Sequence, residues 1–273
     1  MEEIHISAAT AVVLGISAVL TIIGPFLAWI IWRKKTNAAW IPLIAGVLGY
    51  LVIGTVRGLT RALLLTGMQD TPWLYYILQA VLAGVFEEGG RYIIFRWCIP
   101  NKDQYRDAVS YGIGHGGLEH VIVSNGFLLL YGFLVALFYV TGGMESLAPG
   151  GAGYFLMDGQ DAEGTLEIVR SVADTDLVSK LLTLPECFQI GHCCLSVLVF
   201  TAVHYDVNLK WLWAAIGVHT IMDIIPAFHF AGDLSMTEMS VLYLLFEIGV
   251  LYLTWRVWKH YRQSWEIPES SLS

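Results

Sequence analysis

Long apolar segments constrain this chain more than any other feature of its sequence. Stretches of about 20 apolar residues, the length that crosses a bilayer as a helix, occur at Ala8–Trp32, Ala39–Leu65, Trp73–Trp97, Ala108–Val140, Cys187–Tyr205, Trp211–Phe230 and Met239–Val257. Only 14% of the 273 residues are charged, whereas a soluble domain carries about 25%. The sequence therefore predicts an all-α, polytopic transmembrane helix bundle that forms a single integral membrane domain over residues 1–273.

The fourth apolar segment, Ala108–Val140, is too long for one straight crossing at about 1.5 Å per residue. A break near Ser124–Gly126 would give either one tilted, broken helix or two shorter segments. The sequence leaves both alternatives open. The predicted number of spans is therefore seven, or eight if this segment crosses the membrane twice.

Lysine and arginine are unequally distributed over the loops, and this asymmetry predicts the orientation. With the N-terminus outside, Arg170 and Lys180 face outward, and the residues that face the cytoplasm are Arg33, Lys34, Lys35, Arg96, Lys102, Arg106, Lys210, Arg256, Lys259 and Arg262. The acidic loop 142–186 then falls outside, and its second half, Thr165–Leu182, has the apolar spacing of an interfacial helix, with a substrate lid as the less favoured alternative. We therefore expect an extracytoplasmic N-terminus, a cytoplasmic C-terminus and an acidic extracytoplasmic loop.

The net charge of −8 and the lack of any basic run longer than Arg33–Lys35 exclude a nucleic-acid-binding protein with a basic face. The expected partners are instead membrane lipids and a membrane-protein or peptide substrate, with no nucleic acid.

Ionisable residues inside the apolar segments are costly to insert into a bilayer, so each of them marks a candidate functional site. Two pairs, His115–Glu119 and His219–Asp223, place a histidine and a carboxylate on one helix face. This spacing suits paired metal ligands, or a base and the group that orients it. The candidate catalytic residues are Glu87, Glu88, His115, Glu119, His192 and His219, with Arg91 and Asp223 in support.

Depth within the membrane can be counted from the cytoplasmic ends of the segments. At about 1.5 Å per residue, Glu87, His115 and His219 each lie about 13 Å below the inner surface, and His192 lies about 20 Å in. Side chains from four helices can therefore converge in one buried layer. Arg91 is expected to pair with Glu87 or Glu88.

Other ionisable residues in the segments have structural interpretations. Arg57 and Arg61 share a face of the second segment, where they could extend toward the membrane surface or pair with acidic loop residues. His204 suits an interfacial position, and Glu247 suits a structural hydrogen bond.

The Glu-Glu-x-x-Arg block at 87–91, the Gly-x-Gly-His-Gly-x-x-Glu block at 112–119 and the later histidines resemble the YhfC family of bacterial membrane peptidases. More distantly, they resemble the CPBP superfamily, with its type II CAAX prenyl endopeptidases, PrsW-like proteases and the γ-secretase scaffold subunit. The resemblance implies that Glu87 matches the first catalytic glutamate, with Arg91 as its basic partner. It also implies a location in a bacterial plasma membrane.

These features predict an intramembrane endopeptidase that hydrolyses peptide bonds of membrane-associated substrates with a glutamate-activated water. Zn²⁺ held by His115, His192 and His219 would suit a catalytic zinc with three protein ligands and one open position. A metal-free glutamic mechanism uses the same residues, and the sequence leaves both open. Two other classes remain: a non-catalytic scaffold or chaperone subunit, and a proton-coupled transporter that uses the buried groups as a proton relay.

Overall fold

The computed structural model describes residues 6–68, 71–123, 126–157, 164–166, 169, 189–205 and 209–262. Within these ranges no residue lies in a β-strand, so the all-α class is confirmed. The α-helices whose bounds lie within these ranges are α1 (Ala8–Thr36), α2 (Trp40–Leu64), α3 (Pro72–Ile93), α4 (Tyr105–Val123), α5 (Gly126–Leu147), α6 (Ile190–His204), α7 (Lys210–Phe230) and α8 (Met236–Arg262). A π-helical turn, Ile94–Cys98, continues α3, and a 3₁₀ turn, Tyr154–Leu156, follows α5.

Among the described helices, α1, α2, α5, α7 and α8 are long and apolar enough to cross a membrane. Their outward faces carry large exposed apolar side chains, such as Val52 and Leu63 on α2, as expected of a surface that faces lipid. The helices α3 and α4 carry most of the ionisable residues of the buried layer, and α6 has 15 residues. A helix of that length is shorter than the bilayer core, which needs about 20 residues.

The fourth apolar segment forms two helices that follow one another along α1. Near the end of α1, the indole Nε1 of Trp32 donates to the backbone carbonyl of Arg106, at the start of α4, over 3.1 Å. Near the start of α1, a Cβ on Gly15 would meet the ring of Phe133 in α5 at 2.9 Å. Both α4 and α5 therefore run antiparallel to α1, so these two helices continue in the same direction.

Glycines bring the helices of the buried layer into backbone contact. A Cβ on Gly46 of α2 would lie 2.2 Å from the carbonyl oxygen of Tyr111, and one on Gly114 of α4 would lie 2.1 Å from that of Leu43. A Cβ on Gly84 of α3 would likewise lie 2.7 Å from a carbonyl oxygen of α7. Small residues permit such close approach between membrane helices, and here they set the spacing of α2, α3, α4 and α7.

One end of the bundle gathers aromatic and basic residues. There the Arg106 guanidinium donates to the carbonyl of Thr36 at 3.1 Å, which joins the start of α4 to the end of α1. The indole Nε1 of Trp211 donates to the hydroxyl of Tyr261 at 3.2 Å, which joins the start of α7 to the end of α8. The Tyr205 ring, which follows α6, contacts Tyr261 and Tyr105. We call this the basic end, since it holds Arg33, Lys34, Lys35, Arg106, Lys210, Arg256 and Lys259.

The opposite end includes the described part of the predicted loop 142–186; its first residues, 142–147, are not loop but belong to the end of α5. Most of the predicted interfacial helix, Thr165–Leu182, lies outside the described residues. Leu166 and Val169 are buried in an apolar cluster with Leu14 of α1 and Val135 of α5.

Candidate active site

Six candidate residues from four helices meet in one buried layer. Glu87 and Glu88 come from α3, His115 and Glu119 from α4, His192 from α6, and His219 from α7. Contacts of 3.8 Å or less between ring nitrogens and carboxylate oxygens link all of them into one network. The convergence expected from depth counting is therefore present in the structure.

Glu87 lies at the centre of this network and is fully buried. Its Oε2 is 3.1 Å from Nε2 of His115 and 3.7 Å from Nε2 of His219. Its Oε1 forms an ion pair with the guanidinium of Arg57. Both oxygens of Glu87 therefore face charged or polar partners from three other helices.

Glu88, the next residue, points about 100° away from Glu87 around the helix, so it contacts the other ring nitrogen of His219 and a further partner, Arg91. Its Oε1 lies 2.7 Å from Nδ1 of His219, and its Oε2 accepts a hydrogen bond from Arg91 at 2.9 Å. Glu88 and Arg91 are both fully buried. Of the two partners predicted for Arg91, the structure therefore selects Glu88, and both carboxylate oxygens of Glu88 are engaged.

Glu119 differs from the other two glutamates because one of its oxygens remains available. Its Oε2 lies 3.2 Å from Nε2 of His192 and 3.8 Å from Nε2 of His115. Neither contact has hydrogen-bond geometry, and Oε2 is buried without a hydrogen-bond partner. A buried polar atom of this kind is costly unless a ligand, water or ion satisfies it.

The donor atoms of the layer suit a divalent metal ion. Glu87, His115, Glu119 and His192 each offer one ligand atom, and these four atoms lie within 4.8 Å of one another. Neighbouring nitrogens and oxygens in the network are 3.1–3.8 Å apart. Zinc bonds of about 2.0–2.1 Å in tetrahedral geometry separate ligand atoms by about 3.3 Å, so both the donor types and the spacing fit.

The ring nitrogens that point away from the network distinguish the three histidines. Nδ1 of His219 faces the carboxylate of Glu88, the arrangement that commonly orients a metal-ligating histidine. Nδ1 of His115 lies 3.4 Å from the hydroxyl of Tyr111. Nδ1 of His192 lies 3.5 Å from the guanidinium of Arg91, which can only donate. A neutral His192 that accepts this bond carries its proton on Nε2, toward Glu119.

Exposure increases across the site from Glu87 toward α2 and α7. The Glu87 side chain is fully buried, whereas that of Arg57 is 24% exposed and that of Asp223 is 41% exposed. Oδ1 of Asp223 lies 3.9 Å from Nε2 of His219. The layer is therefore most accessible from the side where Arg57 and Asp223 lie.

The interpretation of Arg57 as a residue that extends to the surface or pairs with the acidic loop is wrong. Its guanidinium contacts Glu87, because α2 runs antiparallel to α3 and Gly90 receives the side chain of Ile53. Counting residues from the ends of apolar segments does not predict this register. Sequence reasoning also missed Tyr111, which faces His115 from one turn earlier on α4; aromatic residues are too common in these segments to single it out.

Comparison with known proteins adds two findings. The chain matches the family model for YhfC intramembrane metalloproteases over residues 16–244. It is also 28% identical over 142 residues to the uncharacterized membrane protein YhfC of Bacillus subtilis (strain 168), a match that covers 48% of this chain and 54% of that protein. The match therefore spans about half the length of this curated relative. No solved structure matches the chain.

Proposed function

We propose that this chain, which belongs to the YhfC intramembrane metalloprotease family, is a zinc-dependent endopeptidase that cleaves peptide bonds of membrane-associated substrates. One observation carries the proposal. Nitrogen and oxygen donors from four helices converge, 3.1–3.8 Å apart, in a buried layer of a membrane protein. Such a layer is costly to insert into a bilayer and is expected only where it has a function.

Glu87, His115 and His219 would hold the metal ion. Glu87 and His115 are members of the group of four clustered donors. His219 joins them because Glu88 holds its Nδ1 and leaves Nε2 facing Glu87. When bound, the ion supplies Lewis-acid polarisation of the scissile carbonyl group.

Glu119 acts as the general base, because its Oε2 has no hydrogen-bond partner and faces the cluster. It accepts a proton from the water whose oxygen bonds to the carbonyl carbon of the scissile peptide. As the carbon–nitrogen bond breaks, the same carboxyl group returns the proton to the departing amine nitrogen.

His192 stabilises the negative charge that develops on the carbonyl oxygen. Its Nε2 lies 3.2 Å from Glu119 and carries the proton when Nδ1 accepts from Arg91. A hydrogen-bond donor fixed at this position stabilises the oxyanion without reorganising during the reaction. Glu88 and Arg91 act as positioning residues, since they hold the outward nitrogens of His219 and His192.

We further propose that the chain crosses the plasma membrane of a bacterial cell seven times, with the N-terminus outside and the C-terminus in the cytoplasm. The continuous direction of α4 and α5 along α1 supports one crossing for that segment. The gathering of lysine and arginine at one end supports that end as the cytoplasmic side. The loop 142–186 then belongs to the outer side of a single integral membrane domain.

A cleavage assay tests the enzymatic proposal. The purified protein in detergent is incubated with zinc and a panel of transmembrane peptides, and fragments are identified by mass spectrometry. Glu87→Gln, Glu119→Gln and His219→Ala are each expected to lower the cleavage rate by about 10²-fold or more. The matched control is Glu247→Gln, because Glu247 is also a buried glutamate but lies on α8, which contributes no residue to the cluster. This control is expected to cleave at the wild-type rate.

Metal analysis of the same samples tests the metal-dependent form of the proposal. Zinc bound to the wild type and lost from Glu87→Gln supports it. Cleavage that persists at the full rate in zinc-free protein contradicts it. Cleavage unaffected in all three cluster variants would contradict the site itself.

A further inference from the structure

A second polar site lies at the basic end, where α1 turns into α2. A cavity of about 500 Å³ is lined there by Trp29, Ile30, Arg33, Lys34, Asn37 and Trp40. None of these lining residues is a carboxylate, and two of them are cations. The site shares no residue with the catalytic layer, so an inference from it stands independently of the proposed protease activity.

Two features of this cavity are hydrogen-bond donors without a matching acceptor: the indole of Trp29 and the start of α2. The side chain of Trp29 is buried, and its Nε1 has no hydrogen-bond partner. The residue that precedes α2, Ala39, provides no side-chain cap for the first turn of that helix. Uncapped backbone N–H groups at a helix N-terminus attract anions, and the unpaired indole N–H adds a further donor.

The cations are held beside these donors. Arg33 donates to the carbonyl of Ala38 at 2.7 Å, and its guanidinium carbon lies 5.3 Å from the centre of a Trp40 ring. The ring of Trp40 also contacts that of Trp29. Lys34 is exposed at the rim. The arrangement is therefore complementary to a compact anion, such as a phosphate group.

The surroundings of the cavity indicate where such a phosphate group would come from. Ile30, Trp40, Ile41 and Ile44 expose large apolar surfaces next to the cavity, and these surfaces would contact acyl chains. Basic pockets at the cytoplasmic side of membrane proteins bind anionic lipid headgroups, and tryptophans favour the same depth in the membrane. We propose that this cavity binds the phosphate group of an anionic phospholipid.

Native mass spectrometry of the full chain in detergent measures this binding. The probes are phosphatidylglycerol, phosphatidylcholine with the same acyl chains, and inorganic phosphate. Phosphatidylglycerol is expected to bind several-fold more tightly than phosphatidylcholine, and inorganic phosphate to bind more weakly than the anionic lipid. Lys34→Gln is expected to weaken phosphatidylglycerol binding about fivefold and to leave phosphatidylcholine binding unchanged.

Lys35→Gln is the matched control, because Lys35 is the adjacent exposed lysine and does not line the cavity. It removes the same charge from the same helix end, and its affinity for phosphatidylglycerol is expected to remain within about twofold of wild type. Trp29→Phe keeps an aromatic ring but removes the indole N–H, and is expected to weaken phosphatidylglycerol binding alone.

Three results would overturn the proposal. Equal binding of the two lipids would show that the cavity does not recognise an anion. Equal losses for Lys34→Gln and Lys35→Gln would assign the effect to overall surface charge. Inorganic phosphate that binds as tightly as phosphatidylglycerol would show that the lipid contributes nothing beyond its phosphate.

Discussion

Glu88→Gln is expected to lower the thermal stability of the protein more than its cleavage activity. Glu119→Gln is expected to do the reverse. Glu88 uses both oxygens, one with Arg91 and one with His219, and both partners are buried. In Glu88→Gln the charge of Arg91 loses its buried counterion. Glu119, in contrast, leaves Oε2 without a hydrogen-bond partner, so Glu119→Gln removes no hydrogen bond from that atom.

The magnitude follows from burial. Removing one partner of a fully buried ion pair costs about 3–5 kcal/mol in free energy of unfolding, and both Glu88 and Arg91 have no exposed side-chain surface. At about 2–4 °C per kcal/mol for a chain of this size, Glu88→Gln should lower the melting temperature by about 6–20 °C. Glu119→Gln should not lower it, because the change neutralises a buried carboxylate whose Oε2 has no hydrogen-bond partner.

The assay pairs thermal unfolding in detergent, after chelation of metal, with the initial rate of peptide cleavage after zinc is restored. Glu119→Gln should be as stable as wild type yet cleave about 10²–10⁴-fold more slowly, as expected for loss of a general base. Glu88→Gln should be less stable and, at a temperature where it is folded, retain more activity than Glu119→Gln. A stable Glu88→Gln without activity, beside an active Glu119→Gln, would refute the assignment of the two roles.

Three further predictions concern the remaining contacts. His219→Ala should weaken zinc binding by at least about 100-fold, whereas His192→Ala should keep zinc affinity within about threefold and lower kcat by about 10²–10³-fold. Isothermal titration measures the zinc affinity and steady-state kinetics measure kcat. Loss of zinc from both variants would make His192 a metal ligand. Arg57→Gln should lower the free energy of unfolding of the metal-free protein by about 1–3 kcal/mol. This is less than for a fully buried ion pair, because the Arg57 side chain is 24% exposed. In thermal melts, Arg57→Lys should recover part of the lost stability. Gly114→Ala should destabilise the fold by about 1–3 kcal/mol, because its Cβ would overlap the backbone of α2, while Gly89→Ala, which meets open space, should melt at the wild-type temperature.

Much of the buried layer of ionisable residues could be recognised from the sequence. The bilayer makes ionisable residues so costly within apolar segments that Glu87, Glu119, His115 and His219 stand out against their surroundings. Their distances from the ends of the segments are similar, and helices have a fixed rise per residue, so a common depth followed from counting. The same regularity predicts an all-α bundle without reference to any contact between helices.

Only the tertiary structure decided what each of these groups can do. Glu87 and Glu88 are adjacent in sequence, yet Glu87 joins the donor cluster through contacts to α2 and α4, whereas Glu88 holds Nδ1 of His219 and the guanidinium of Arg91. The pairing of Arg57 with Glu87 depends on the register of α2 against α3, which glycine contacts set. The apolar segments specify that a helix lies in the membrane and at what depth each of its residues lies. They do not specify the rotation of the helix about its axis or its register against neighbouring helices. These follow from packing between helices, and in this protein they distinguish a carboxylate free for chemistry from one committed to holding the site together.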